Sequence, residues 1–405
     1  MIKLSHRLYK YGWLNAGLLG AFAGGLIYGC GSHQNPGESA EVESVIEPSA
    51  WYASKVATKA GNATALEIAK VTNAWDVRGV GDSAWTHGGA AGNRPKTPLA
   101  PNFGDALRAV DPGAVRLKGH LSFINWESVV GTRCDTINNG VDFYFLSHPN
   151  AIRQAVDFGF NMISLANNHA RDCMAPYGPD LSAANLTAIA KEKNILWHGT
   201  GDTFQRATIK TIVMNGKPVK VAFGALTIVS WEMKKTAQII LPNEGIEKVR
   251  PLLTSLQSAD VDLRILSIHT QDSSGHNKNE AAAIRMLKSV GESFIKNFNG
   301  NIVLGHGPHT AAGVKVVPRS DGRTGAIVVS MGNFIHNGVS SQVDNYAARV
   351  LVSPTTKSIS EIQIMPFRNV PGPTISWSTP ASAKRPAANF VWNTDAAKKI
   401  FYAKF

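Results

Sequence analysis

Six short stretches of the chain close apolar runs with residues able to bind a metal ion. They are Gly81-Asp82, Asn125-Trp126-Glu127, Ala166-Asn167-Asn168-His169, an isolated His269, Gly305-His306-Gly307-Pro308-His309 and Ser330-Met331-Gly332-Asn333-Phe334. The glycine before Asp82 lets the backbone turn sharply and present a carboxylate oxygen. Glu127 ends the run Leu121 to Trp126, and a carboxylate buried there needs a partner, because an unpaired buried charge is costly. A cation is one such partner; Arg133 is another. In Asn167-Asn168-His169 an amide oxygen can ligate a metal while the imidazole gives or takes a proton. Asp172, three residues on, is placed to orient that imidazole. His306 and His309 stand three apart among Gly305, Gly307 and Pro308, on a loop with little freedom, so less entropy is lost when they bind an ion. A lone histidine such as His269 is more often structural, and carries meaning only beside the others.

Such groups act together only if the strands that carry them end side by side, at the sheet edge where α/β proteins place their chemistry. Several runs are near-continuously apolar, as strands covered on both faces should be. Strands are expected over Asp76 to Gly81, Leu121 to Trp126, Met162 to Ala166, Val219 to Val229, Leu263 to Ile268, Asn301 to Gly305 and Ala326 to Met331. Helices are expected over Ala53 to Val71, Asn150 to Phe158, Leu181 to Lys193, Glu247 to Ser258 and Asn279 to Phe298. In the last of these Ile284, Leu287, Val290, Phe294 and Phe298 recur at helical spacing before the stop at Asn299-Gly300. This alternation predicts an α/β domain with a largely parallel sheet. Ala347 to Val352 and Ser358 to Met365 read as a late hairpin, and residues 83–104 as a Gly/Pro-rich excursion. The boundaries that result are a leader over 1–30, a tether and helix over 31–72, the main domain over 73–368 and an irregular tail over 369–405.

The leader carries Lys3, Arg7 and Lys10 before an apolar stretch from Trp13 to Tyr28, short of the ~20 residues that span a bilayer comfortably. Leu26-Ile27-Tyr28-Gly29-Cys30 resembles a bacterial lipobox, which would make Cys30 the lipidated first residue of the mature chain. An uncleaved anchor, or a plain signal with a chance cysteine, is the alternative. Each places the body of the chain outside the cytoplasm, on the periplasmic or extracellular face. The remaining cysteines, Cys134 and Cys173, form an even pair, and in an oxidising compartment they predict a disulfide that clamps neighbouring loops of the site; two separate buried thiols are the alternative. With 405 residues, 44% of them hydrophobic, the chain can bury one large core or two ordinary ones. Its net charge of +12 is dispersed, with no Lys/Arg block, which argues against nucleic acid. A basic exported protein suits an anionic polymer or a phosphorylated envelope component.

The motifs in this order, GD, N-x-E, ANNH, H, GHGPH and SMGNF, resemble the bacterial capsule-synthesis CapA family, also called PgsA-like or poly-γ-glutamate synthesis proteins, over roughly Asp76 to Phe367. That family is related to the calcineurin-like metallophosphoesterases. The resemblance implies a four-layer αββα sandwich with its site at the strand ends. It implies two divalent ions (Mn, Fe, Zn or Mg) lined by Asp82, Glu127, Asn168, His269, His306 and His309. It further implies His169 with Asp172 as the proton-transfer pair, and Asn125, Asn167 and Asn333 as pocket residues. The metallophosphoesterase start D-x-H is absent, since Ser83 and Ala84 follow Asp82; His87 is a candidate substitute. Thr270-Gln271-Asp272 follows His269 where the family shows Trp-Gly and an acid, and Gly307 stands where the family has histidine. The expected function is a metal-dependent hydrolase of the envelope, acting on a phosphoester or a γ-glutamyl polymer. Its alternative is a non-catalytic subunit that binds or exports an anionic polymer beside membrane synthase partners. A metal-free envelope protein with a polar structural network is a third reading.

Overall fold

The computed structural model describes residues 73–405 except 88–94, 142, 203, 205, 230, 241–243, 272–279, 338–343, 371–373, 379–390 and 393–400. Cys30 and its leader, the tether and the expected helix Ala53 to Val71 lie outside the described residues. Among the described residues no helix is long and apolar enough to cross a membrane.

The chain begins β1 (Trp75–Ala84), α1 (Phe103–Val110), β2 (Leu121–Trp126), α2 (Pro149–Phe158), β3 (Met162–Ser164), α3 (Gly178–Glu192) and β4 (Leu196–His198). It continues with β5 (Thr208–Met214), β6 (Lys217–Ile228), β7 (Gln238–Ile239), α4 (Arg250–Ser258), β8 (Leu263–Thr270), α5 (Glu280–Asn297) and β9 (Ile302–His306). The last part holds β10 (Val314–Pro318), β11 (Thr324–Val328), β12 (Asn333–His336), β13 (Asp344–Val352), β14 (Ile359–Val370), β15 (Thr374–Trp377), β16 (Val391–Trp392) and β17 (Phe401–Lys404).

Two sheets result. The first runs β16-β17-β14-β13-β1-β2-β3-β4, with β12 beside β1 and β15 beside β14. The second runs β7-β6-β8-β9-β11-β10, with β5 beside β6. Side chains alternate across each strand, so one face of each sheet meets the other sheet. Val77, Leu121 and Phe123 of the first sheet pack in one cluster with Val221, Phe223 and Ile265 of the second. The outer face of the first sheet (Ile124, Ile163) is covered by Phe103, Leu107, Ile152 and Leu186 from α1 to α3. Leu252, Leu256, Leu287 and Phe294 of α4 and α5 cover Leu266, Ile268 and Val303 of the second. The order helix, sheet, sheet, helix is the αββα sandwich expected.

The centre of each sheet is parallel, but the whole is mixed: β13 pairs antiparallel with β1, and β14 with β13. β1 lies between these modes, buried throughout although it carries charges. Asp76 accepts hydrogen bonds from Arg78 (2.9 Å) and Arg349 (2.8 Å), so its charge is neutralised within the sheet. The tail is not irregular throughout, because the open edge of β14 accepts Thr374–Trp377 and Phe401–Lys404 as antiparallel strands. Ile375 and Trp377 secure the former by packing in the cluster that holds Phe367. The helix expected from Glu247 starts as a 3-10 turn, Ile246–Val249, and becomes α-helical only at Arg250. Pro251 fits only a first helical turn, since it has no N–H to donate and its ring clashes with an earlier carbonyl.

Candidate metal centre

The parallel strands of both sheets end at one side of the sandwich, and the ligand-type residues meet there. β1 delivers Asp82 through a local shift in its register with β2, between Val80 and Asp82. Gly81 makes this possible, since a Cβ on it would stand 1.8 Å from the carbonyl oxygen of Gly332. The Asp82 amide donates to that same oxygen at 2.9 Å, so β1 and the SMGNF loop are locked backbone to backbone. His269 and His306 are register partners on β8 and β9. Their Nδ1 atoms stand 3.0 Å apart. Beyond His306 the chain turns at Gly307, whose φ of +108° favours glycine and where a Cβ would lie 2.1 Å from Thr270 O.

Asp82 is fully buried and shared. Its Oδ1 accepts from Asn125 Nδ2 at 2.7 Å and lies 3.1 Å from His306 Nδ1 and 3.5 Å from His269 Nδ1. Its Oδ2 accepts from the Gly307 amide at 2.8 Å and lies 3.8 Å from His309 Nδ1. Two groups of candidate ligands therefore meet at this one carboxylate: Asp82 with His269 and His306, and Asp82 with Glu127 and His309. Asn168 adjoins the first group, its Oδ1 being 2.9 Å from His269 Nε2, the ring nitrogen opposite the one that faces Asp82. Asn333 Oδ1 holds His309 Nδ1 at 2.7 Å. The structure thus brings together Asp82, Glu127, Asn168, His269, His306 and His309, with Asn125 and Asn333 buttressing them.

Asn167 differs from its expected place as a pocket residue. Its amide nitrogen donates to Trp126 O at 2.8 Å and its oxygen accepts from the His169 amide at 2.9 Å, so it ties the ANNH loop to β2. His87 does not complete the set: it is exposed and stands in neither group. Arg133 is not the partner of Glu127 either, since it pairs with Asp135 at the surface.

His169 stands beside the cluster. Its Nδ1 lies 2.7 Å from Asp172 Oδ2, and the same oxygen accepts the Phe145 amide at 2.7 Å. The Phe145 ring lies 4.2 Å from the imidazole, centre to centre. Asp172 is next to Cys173, which is bonded to Cys134, so the disulfide closes over the loop that holds this pair.

The electrostatics follow from burial and mutual charge. Burial alone would raise the Asp82 carboxyl, but His269 and His306 outweigh it and hold Asp82 well below the usual carboxylate range. Burial and the Asp82 charge push Glu127 up, yet His309 and His336 bring it below its ordinary value. Burial pushes His306 down. His309 and His169 move the other way: burial would lower both, but Glu127 and Asp82 raise the first, and Asp172 chiefly raises the second. Both carboxylates are thus ionised at neutral pH. Both Glu127 oxygens and Asn125 Oδ1 are buried without a hydrogen-bond partner among the described residues. Unpaired acceptors around an ionised carboxylate are what a cation satisfies, and mixed oxygen and imidazole donors suit a divalent transition metal. The residues present fit such an ion.

Over residues 78–338 the chain matches the family model of the bacterial capsule synthesis protein PGA_cap. It belongs to that family. Two solved structures are similar in shape to this PGA_cap chain. One is a novel phosphatase from Mycoplasma pneumoniae, at 12% identity and a TM-score of 0.44, covering 74% of this chain and 95% of that one. The other is a hypothetical protein from Thermus thermophilus, at 10% identity and a TM-score of 0.39, covering 73% and 99%. At these scores neither assigns a role to any residue. No curated protein matches the chain.

One residue at the PGA_cap centre escapes the motif reading. His336 ends β12, its side chain is wholly buried, and its Nε2 lies 3.4 Å from Glu127 Oε2. The signal for it was present: Phe334-Ile335-His336 is one more apolar run closed by a ligand-type residue.

Proposed function

We propose that this PGA_cap chain is a metal-dependent hydrolase of an anionic cell-envelope substrate, a phosphoester or a γ-glutamyl polymer, whose two groups of candidate ligands, both including Asp82, would hold divalent ions. The observation that carries the reading is the shared Asp82 carboxylate, one oxygen toward His269 and His306 and the other toward His309, beside a Glu127 whose oxygens have no hydrogen-bond partner among the described residues. Bound cations would supply Lewis acidity to the substrate oxygen and a nucleophilic water near neutral pH.

The chain's own residues do the rest. Asp82, Glu127, Asn168, His269, His306 and His309 would hold the ions, and Asn125 and Gly307 fix the shared Asp82 carboxylate through its two oxygens. His169 carries a proton on Nε2 for the leaving group, a step worth about 10²–10⁴-fold. Asp172 at Nδ1 keeps the ring in the tautomer and orientation that this needs. The buried disulfide is at home in an oxidising compartment, which supports an exported protein; anchoring through a lipidated Cys30 is part of the same proposal and rests on the lipobox-like sequence before it.

The test is direct. Purified protein should bind divalent metal, and a variant with alanine at both His306 and His309 should lose it while keeping its circular dichroism spectrum. Wild-type protein should then turn over phosphoesters or γ-glutamyl oligomers with Mn²⁺ or Zn²⁺. Unchanged metal content in the double variant would refute the site; saturable polymer binding without turnover would refute the hydrolase and favour a polymer-binding export subunit.

A further inference from the structure

Resting on that reading, we infer that His336 is an additional ligand at the Glu127 end of the centre. In this structure Asp82, Glu127 and His309 form that end, and His336 reaches it through Glu127. β12 runs parallel to β1, and the register partner of His336 is Ala84. Ala84 is buried and offers only a methyl group, so β1 presents no donor of its own there and the neighbouring strand supplies an imidazole instead. The position is fixed from both sides. The next residue, Asn337, accepts the Thr86 amide at 2.8 Å, and the Phe145 ring meets the His336 imidazole edge-on with centres 4.8 Å apart.

The contact is longer than a good hydrogen bond. Nε2 of His336 and Oε2 of Glu127 are 3.4 Å apart, and neither His336 nitrogen nor either Glu127 oxygen has a hydrogen-bond partner among the described residues. A good N–H···O contact would be shorter, about 2.9–3.0 Å. Two donors each about 2.1 Å from one ion, at a tetrahedral angle, stand about 3.4 Å apart. Two buried groups that face each other at ligand spacing without bonding are a place for a cation.

The experiment is Mn²⁺ titration of metal-stripped protein, read by equilibrium dialysis with elemental analysis. Wild type should bind two ions. His336→Phe keeps the ring volume but removes both nitrogens. It should retain the ion at Asp82, His269 and His306 and bind the other at least about tenfold more weakly. Two ions held at wild-type affinities in His336→Phe would overturn the inference and leave the proposed function standing; wild type that binds no Mn²⁺ would overturn both. Should circular dichroism show His336→Phe unfolded, His336→Gln serves. A tenfold weaker second ion is expected there too, and unchanged affinity overturns the inference.

Discussion

At the scale of single residues the site rests on pairs in which one side chain fixes another. His169 is the clearest case, because Asp172 both orients its ring and raises its pKa against the effect of burial. Asp172→Asn should therefore lower kcat on a phosphoester substrate by about 10²-fold or more with metal content unchanged. The sign of its pH effect follows. Without the Asp172 charge the His169 pKa falls, so the basic limb of the kcat profile should move to lower pH. A limb that stayed in place would show that His169 is not the titrating acid. The six ligand-type residues were legible because each ends an apolar run, and a polar group in that setting has few reasons to be there beyond chemistry. His336 ends such a run too, but its link to Glu127, far away in sequence, exists only through the pairing of β12 with β1 and of β1 with β2. Glu127 itself had two open readings, cation or Arg133, and the fold removes the second by sending Arg133 to Asp135 at the surface.

At the scale of elements the strands were read closely, because a strand buried on both faces has to be apolar along its length. Leu121–Trp126 was placed to the residue. What stayed hidden is pairing: nothing local says that β13 lies antiparallel beside β1, or that the tail adds strands to β14. The loop that carries Asp172 is likewise held by a distant element, through Cys134–Cys173, which spans 39 positions. Both cysteines are buried in a small cluster with Val129, Tyr144 and Leu146. Serine at both positions should cost about 2–5 kcal/mol in urea denaturation. It should lower kcat more than metal content, because His169 and Asp172, not the ligands on the second sheet, sit next to the bridge. Equal losses in both would place the bridge's effect at the metal instead.

At the scale of the molecule two sheets must stay in register for one site to exist, and a buried histidine helps to hold them. His198 ends β4 in the first sheet, and its Nδ1 accepts the amide of Ala225, in β6 of the second, at 2.9 Å. Its Nε2 donates to Arg206 O at 2.8 Å, and burial pushes its pKa down to about 4. Between pH 4 and about 6.5 the unfolded chain therefore binds a proton that the folded chain refuses, so stability rises with pH through this window and levels off above it. From pH 7 to pH 5 wild type should lose about 2 kcal/mol more than His198→Gln in urea melts; parallel losses would mean that His198 does not set the slope. The scatter of the centre along the chain has a last consequence. Its donors run from Asp82 to His336, so a growing or partly threaded polypeptide carries no finished trap for an ion. Any loading would wait until β12 has joined β1, so the compartment in which the chain finishes folding would decide which ion it meets.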